Sequence, residues 1–201
     1  MSDVDTMTRP DLERHPLEPF LPGHARLLML GSFPPQRKRW SMDFYYPNFQ
    51  NDMWRIFGSL FFEDRNHFLT PDRKAFDRER IVAFLTRKGI ALYDTAHVVR
   101  RLKENASDQF LEIVEPTDIA ALLRRLPECR AVVATGGKAA ETAAGRFGCT
   151  VPAVGAFTDF TFEDRPMRLW RMPSSSRAYP MALERKAEVY RVMFDTLFDC
   201  L

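Results

Sequence analysis

The chain has 201 residues, a hydrophobic fraction of 45%, a charged fraction of 28% and a formal net charge of +2. That is length enough for one domain (1–201) with a full core, and an ordinary composition for a soluble globular protein. The balance of charge excludes a global basic attraction to nucleic acid, so any such contact must come from local clusters such as Arg37-Lys38-Arg39 and Arg100-Arg101-Lys103.

Residues 1–24 are polar and proline-rich and predict an extended lead-in, with Leu17, Phe20 and Leu21 packing on the surface. The apolar run Leu27 to Leu30 predicts a buried strand near Arg26 to Gly31, stopped by Gly31 and by Pro34-Pro35. A loop follows, with Arg37, Lys38 and Arg39 beside Trp40, Phe44, Tyr45 and Tyr46. Helical spacing runs from Asn51 to Leu60, and Phe76 to Arg87 predicts an amphipathic helix ended by Lys88-Gly89. Ile90 to Tyr93 is a second strand, ending at Asp94-Thr95, and the charged stretch Arg100 to Asp108 reads as a loop. A helix is expected from Pro116 to Leu126, with Thr117 or Asp118 near its N-cap. Ala131 to Ala134 predicts a third strand, followed by Thr135-Gly136-Gly137 and an alanine-rich helix to about Phe147. Met167 to Met172 predicts a fourth strand before Pro173-Ser174-Ser175-Ser176-Arg177, and Pro180 to Leu197 a closing helix. Strands alternate with helices, so the expected fold is a three-layer α/β/α sandwich around a four-stranded parallel sheet.

In such a sheet, ligands bind beyond the carboxyl ends of the strands. Four small or polar strand ends are expected there: Gly31-Ser32-Phe33-Pro34, Asp94-Thr95, Thr135-Gly136-Gly137 and Pro173 to Ser176. No apolar run approaches the ~20 residues of a membrane span, and the N-terminus lacks the charged-then-apolar pattern of a signal peptide. The three cysteines, Cys129, Cys149 and Cys200, have no metal-ligand spacing and read as reduced thiols of a cytoplasmic protein.

This layout resembles the uracil-DNA glycosylase superfamily, over the span from about Arg26 to Phe198. The resemblance rests on Gly31-Ser32-Phe33-Pro34 after the first strand, Met172-Pro173-Ser174-Ser175-Ser176 after the last, and the aromatic-to-asparagine-to-tryptophan segment Tyr46 to Trp54 between them. The GSFP wording, the Tyr45-Tyr46 pair and Asp94 are most similar to the hypoxanthine-DNA glycosylase branch, and the Tyr46 to Trp54 segment also to the mismatch-specific branch. Two departures stand out. Phe33 occupies a position where many members carry Asp or Asn, and Met172 one where many carry His. Three dispersed cysteines cannot supply the four that the iron-sulfur branches need, so no cofactor is expected.

The resemblance implies a monofunctional DNA glycosylase that flips a deaminated base, uracil or hypoxanthine, out of DNA and hydrolyses its N-glycosidic bond. It implies Asn51 as the water-holding catalytic group. The same residue also reads as a helix cap, with Asn48 as a rival. Tyr46 and Phe33 would stack on or flank the base, Gly31 and Ser32 would line the floor, and Asp94 would accept from a ring N–H; each equally suits packing or capping. Ser174, Ser175, Ser176 and Arg177, with Arg37, Lys38 and Arg39, would contact the DNA backbone. Thr135-Gly136-Gly137-Lys138 is a weak phosphate motif, Asn105 and Asp108 lie in a loop that the hypoxanthine branch places near the site, and His97 reads as packed or solvent-facing. The expected partner is DNA containing a deaminated base, bound by a monomer without metal or membrane. Phe33 and Met172 also support a rival, a DNA- or nucleotide-binding relative with little catalysis. An unrelated hydrolase lacks support, because the chain has no G-x-S-x-G elbow or P-loop.

Overall fold

The computed structural model describes residues 12–102 and 111–198. Its central sheet contains β2 (Leu27–Gly31), β3 (Ile90–Asp94), β6 (Ala131–Thr135), β7 (Ala156–Phe162) and β8 (Arg165–Met172). Their spatial order is β3-β2-β6-β8-β7. The first four of these are mutually parallel, and β7 runs antiparallel to β8 at the edge. β2, β3 and β6 are buried at every residue, which is why they read as unbroken apolar runs. Register pairs Gly31 with Asp94, Leu30 with Ala134, and Thr135 with Met172. The carboxyl ends of the four parallel strands are therefore level.

Five helices complete the layers: α1 (Met53–Phe62), α2 (Arg78–Lys88), α3 (Ile119–Arg124), α4 (Gly137–Phe147) and α5 (Leu183–Phe198). The chain moves from β2 outward to β3, then back across β2 to β6 and on to β8. Right-handed crossovers with these opposite senses place α1 and α2 on one face and α3 and α4 on the other. α5 joins the first group, its Phe194 ring set edge-on to Phe57 of α1 at 5.3 Å, while Phe84 of α2 meets Phe61 at 4.8 Å. On the other face Phe147 of α4 stacks on Phe160 at 4.4 Å. The fully buried rings among them, Phe57, Phe84 and Phe194, each contribute about 1.5–3 kcal/mol from burial alone. Helix starts follow the caps: Asp77 accepts from the Arg80 N–H and Asp118 from the Ala121 N–H.

The four parallel strands and the three layers match the expectation, and three features depart from it. First, β7 makes the sheet five-stranded. Its turn, Glu163-Asp164, has both residues at positive φ (47° and 63°), as a two-residue hairpin requires, but lacks the Asn-Gly or Asp-Gly wording that announces one. Second, the lead-in and the charged stretch form part of a second, antiparallel sheet, order β1-β4-β5, built from β1 (Leu12–Arg14), β4 (Ala96–Arg101) and β5 (Leu111–Pro116). Arg100 and Arg101 belong to a strand because their charges are met across it. Arg101 makes two hydrogen bonds to Glu13, at 2.8 and 3.0 Å, and Arg100 one to Glu112 at 2.9 Å. Third, Pro116 ends β5, so the following helix starts only at Ile119. Lys103, Asn105, Asp108 and Cys200 lie outside the described residues. Leu17, Phe20 and Leu21 pack against the main core, and Phe20 bridges Leu92 at the sheet edge.

Candidate functional site

Gly31 and Asp94 end adjacent strands in direct register. The absence of a side chain at Gly31 is a geometric requirement: a Cβ there would stand 2.4 Å from Asp94 Oδ1. Beyond these ends the chains remain joined, Thr95 N–H donating to Gly31 O and Ala96 N–H to Ser32 O. Asp94 is buried, with 9% of its side chain exposed, and its Oδ2 lies 2.9 Å from His15 Nε2. The His15 side chain is wholly buried. Its ring lies 4.6 Å from Tyr93 and 5.4 Å from Phe33. Sequence reasoning missed His15. It stands 79 positions from Asp94 in a segment with no periodicity of its own, so nothing local marks it. His97 instead packs near Tyr93, its Nδ1 3.3 Å from the phenol oxygen.

Tyr46 enters the site with a left-handed backbone (φ 50°), an uncommon conformation for an aromatic residue. Its hydroxyl lies 3.0 Å from Thr135 Oγ1, which itself donates to Leu30 O, so the phenol is the donor of the pair. The ring is thereby fixed over the ends of β2 and β6, edge-on to Trp54 at 5.9 Å. Burial, then the charge of Asp94, pushes the Tyr46 phenol well above its ordinary range. The same two causes act in the same order on Tyr45, and they push Tyr93 up to about 12. These tyrosines are neutral hydrogen-bonding groups at any working pH.

Asn51 is bridged to Ser176, so the start of α1 and the proline-serine loop lie together. Asn51 Oδ1 accepts from the Met53 N–H at 2.9 Å, an Asx turn that leads into α1, whose own N-cap position is held by Asp52 without a side-chain capping bond. The Asn51 Nδ2 makes no protein hydrogen bond among the described residues. Next to it, the Asp52 N–H donates to Ser175 O. The Asp52 carboxylate holds Arg177 Nε at 2.9 Å and Lys186 Nζ at 3.2 Å. Lys186 is fully buried and also donates to Ser176 O at 2.8 Å. This ionic clamp fixes the loop against α1 and α5. Ser174 Oγ accepts from the Ser176 N–H, Ser176 Oγ from the Ala178 N–H, and the Tyr190 hydroxyl donates to Pro173 O. Arg55 of α1, buried beneath, donates to Phe49 O and Asn51 O, and burial lowers its pKa.

The remaining candidates sit less centrally. Phe33 packs on the small core of Ala96, Val99 and Leu111, with the Arg101 guanidinium 5.9 Å from its ring centre. Met172 is fully buried, and its carbonyl accepts from the Gly136 N–H. Gly136 (φ 126°) turns the chain into α4 beside Ser174, and Lys138 donates to Leu111 O. Arg37, Lys38 and Arg39 form an exposed 3-10 turn, where Arg37 pairs with Asp43 at 2.6 Å and lies 4.2 Å over Trp40.

The strand-end site thus joins a buried acceptor carboxylate, aromatic faces, an amide with a spare donor and a serine loop. A surface recess lined by Arg130, Asp159, Phe160, Pro166, Arg168 and Leu197 lies at the amino ends of β6 and β8 and includes no candidate residue. Among the described residues, no group of three or more His, Cys, Asp or Glu is placed to hold a metal ion, and no helix is long and apolar enough to cross a membrane.

No protein-family model and no curated protein matches the chain. Among solved structures it is similar to the solution NMR structure of a protein from Methanosarcina acetivorans named a "putative Uracil DNA glycosylase". The TM-score is 0.62 and the identity 22%, over 93% of this chain and 99% of that one. At that identity the likeness is one of fold.

Proposed function

We infer that the chain is a monofunctional DNA glycosylase of base-excision repair, hydrolysing the N-glycosidic bond of uracil or hypoxanthine flipped from DNA. The observation that carries this reading is the meeting of Gly31, Asp94, Tyr46, Asn51 and the Ser174–Ser176 loop at one edge of four parallel strands. The fold shared with the Methanosarcina protein agrees with it.

In this reading Tyr46 supplies a face for the flipped base, and Asp94 accepts from a ring N–H beside a carbonyl, a feature that uracil and hypoxanthine share. As the C–N bond breaks, its electron pair leaves with the base, and water adds to the oxocarbenium-like sugar carbon and releases its proton to solvent. Asn51 holds that water through its Nδ2 and the second lone pair of Oδ1, the first being used by the Met53 N–H. Ser174, Ser176 and the half-exposed Arg177 face the phosphates beside the lesion. Lys186 is committed to Asp52 and Ser176, which disfavours a Schiff base and hence strand cleavage.

The rival reading, a binding relative with little catalysis, is favoured by that same turn bond of Asn51, by Met172 in the main core and by Phe33 packed against the small one. Asn51→Ala separates the two. A group acting on the transition state changes the rate while ground-state phosphate contacts persist. Single-turnover excision should fall by about 10²–10³ with duplex affinity nearly intact. An unchanged rate makes Asn51 a structural residue of the turn before α1 and places the chemistry elsewhere.

A further inference from the structure

His15 and Asp94 form a buried pair that the proposed chemistry does not itself require. The His15 side chain has no exposed surface, and its ring is enclosed by Phe33, Tyr45 and Tyr93. An imidazole in such surroundings is costly unless both nitrogens are satisfied, and both are. Nδ1 meets the backbone of Leu17, 2.9 Å from its carbonyl and 3.2 Å from its N–H, and Nε2 meets Asp94 Oδ2 at 2.9 Å. An ionised carboxylate has no proton to give, so Nε2 carries the proton and donates. The His15 backbone is tied in turn, its N–H donating to His97 O at 2.8 Å beside the β1–β4 pairing.

The pair gives the two oxygens of Asp94 different duties. Oδ2 is occupied by His15. Oδ1, resting over Gly31, accepts no side-chain hydrogen bond among the described residues. Rotation of the carboxyl group would break the bond to His15. The free oxygen therefore has one direction and one character, that of an acceptor.

We propose that His15 is the positioning residue that makes Asp94 a fixed acceptor at the strand ends, so that the site takes bases with a ring N–H on their pairing edge and rejects those with a lone pair there. Lactam and imide bases such as hypoxanthine and uracil have that N–H. Adenine and cytosine present a ring lone pair, which would face the carboxylate oxygen acceptor to acceptor. This deepens the glycosylase reading and rests on it for the identity of the ligand, but base recognition is measurable without excision.

The test is binding of free uracil, hypoxanthine, cytosine and adenine to the whole chain by calorimetry or ligand-observed NMR, for wild type, His15→Ala and His15→Gln. Gln carries an amide N–H at about the reach of Nε2, and circular dichroism melts establish that each variant is folded. The expected result is that wild type prefers uracil and hypoxanthine, His15→Ala weakens that preference by roughly tenfold, as for loss of a hydrogen bond to a charged group, and His15→Gln restores most of it. Equal binding of amino and lactam bases by wild type, binding of no base, or a folded His15→Ala with wild-type preference overturns the proposal. Excision is scored in parallel on uracil and hypoxanthine duplexes. His15-dependent binding without excision leaves this inference standing and removes the glycosylase reading. Excision with His15-independent binding does the reverse.

Discussion

The ionic clamp beneath the serine loop yields a quantitative prediction. Asp52→Asn keeps the shape of the side chain but removes the counter-charge of the fully buried Lys186 ammonium and leaves one amide oxygen where two carboxylate oxygens served Lys186 and Arg177. Removing one member of a buried pair costs about 3–5 kcal/mol, a large part of a total stability of roughly 5–15 kcal/mol. For a chain of this size that corresponds to a fall of roughly 6–20 °C in Tm. Lys186→Met should cost less, about 1–3 kcal/mol, because Asp52 keeps Arg177 at 2.9 Å. The double variant removes both charges, so the two losses should fail to add by about 0.5–3 kcal/mol in the favourable direction. Urea unfolding followed by circular dichroism and by fluorescence of the buried Trp54 reads all three. An Asp52→Asn protein within about 0.5 kcal/mol of wild type, the range of ordinary surface substitutions, or strictly additive losses in the double variant, would show that the clamp does not hold the loop.

Other predictions follow from single contacts. Gly31→Ala brings a Cβ to 2.4 Å from Asp94 Oδ1, an oxygen held in place by His15, and should cost about 1–3 kcal/mol; a variant as stable as wild type would mean that the carboxylate moves freely. Replacing Arg37, Lys38 and Arg39 together by alanine should reduce the salt slope of duplex binding by about one for each phosphate that the turn neutralises, and an unchanged slope removes this turn from the DNA surface. For Tyr93, whose pKa is raised by burial and by Asp94 to about 12, the sign is definite: its stabilising contribution is complete below the unfolded value near 10 and is lost between there and about 12. Alkaline titration should show Tyr93 phenolate absorbance lagging behind that of a model phenol. A folded protein with Tyr93 fully ionised at its ordinary pKa contradicts the packing.

The parallel core was legible because β2, β3 and β6 are buried on both faces, which leaves a run of apolar residues that only a short buried strand explains. Helix α2 was legible through its amphipathic spacing and its Lys88-Gly89 end, and α3 through Asp118 at its cap, although Pro116 belongs to β5. The second sheet was not legible, because the charges of Arg100 and Arg101 look like those of a solvated loop until Glu112 and Glu13 arrive from other strands. The same limit governs the site. Asp94 and Gly31 could be placed from strand ends, whereas His15 acquires meaning only when β1 docks on β4 and carries it to Asp94. The sequence leaves Asn51 as either cap or catalyst; in the structure Asp52 holds the N-cap position, and Asn51 closes an Asx turn onto the Met53 N–H with its oxygen.

Glycosylase action is read most directly by single-turnover incubation of the purified wild-type chain with matched duplexes containing uracil, hypoxanthine or a normal base, the released base being identified by mass. The expected outcome is release of free uracil or hypoxanthine with an intact abasic strand left behind, and no release of adenine or cytosine. Failure to release either deaminated base, with the chain folded and bound to the duplex, contradicts a glycosylase and leaves a binding protein in its place.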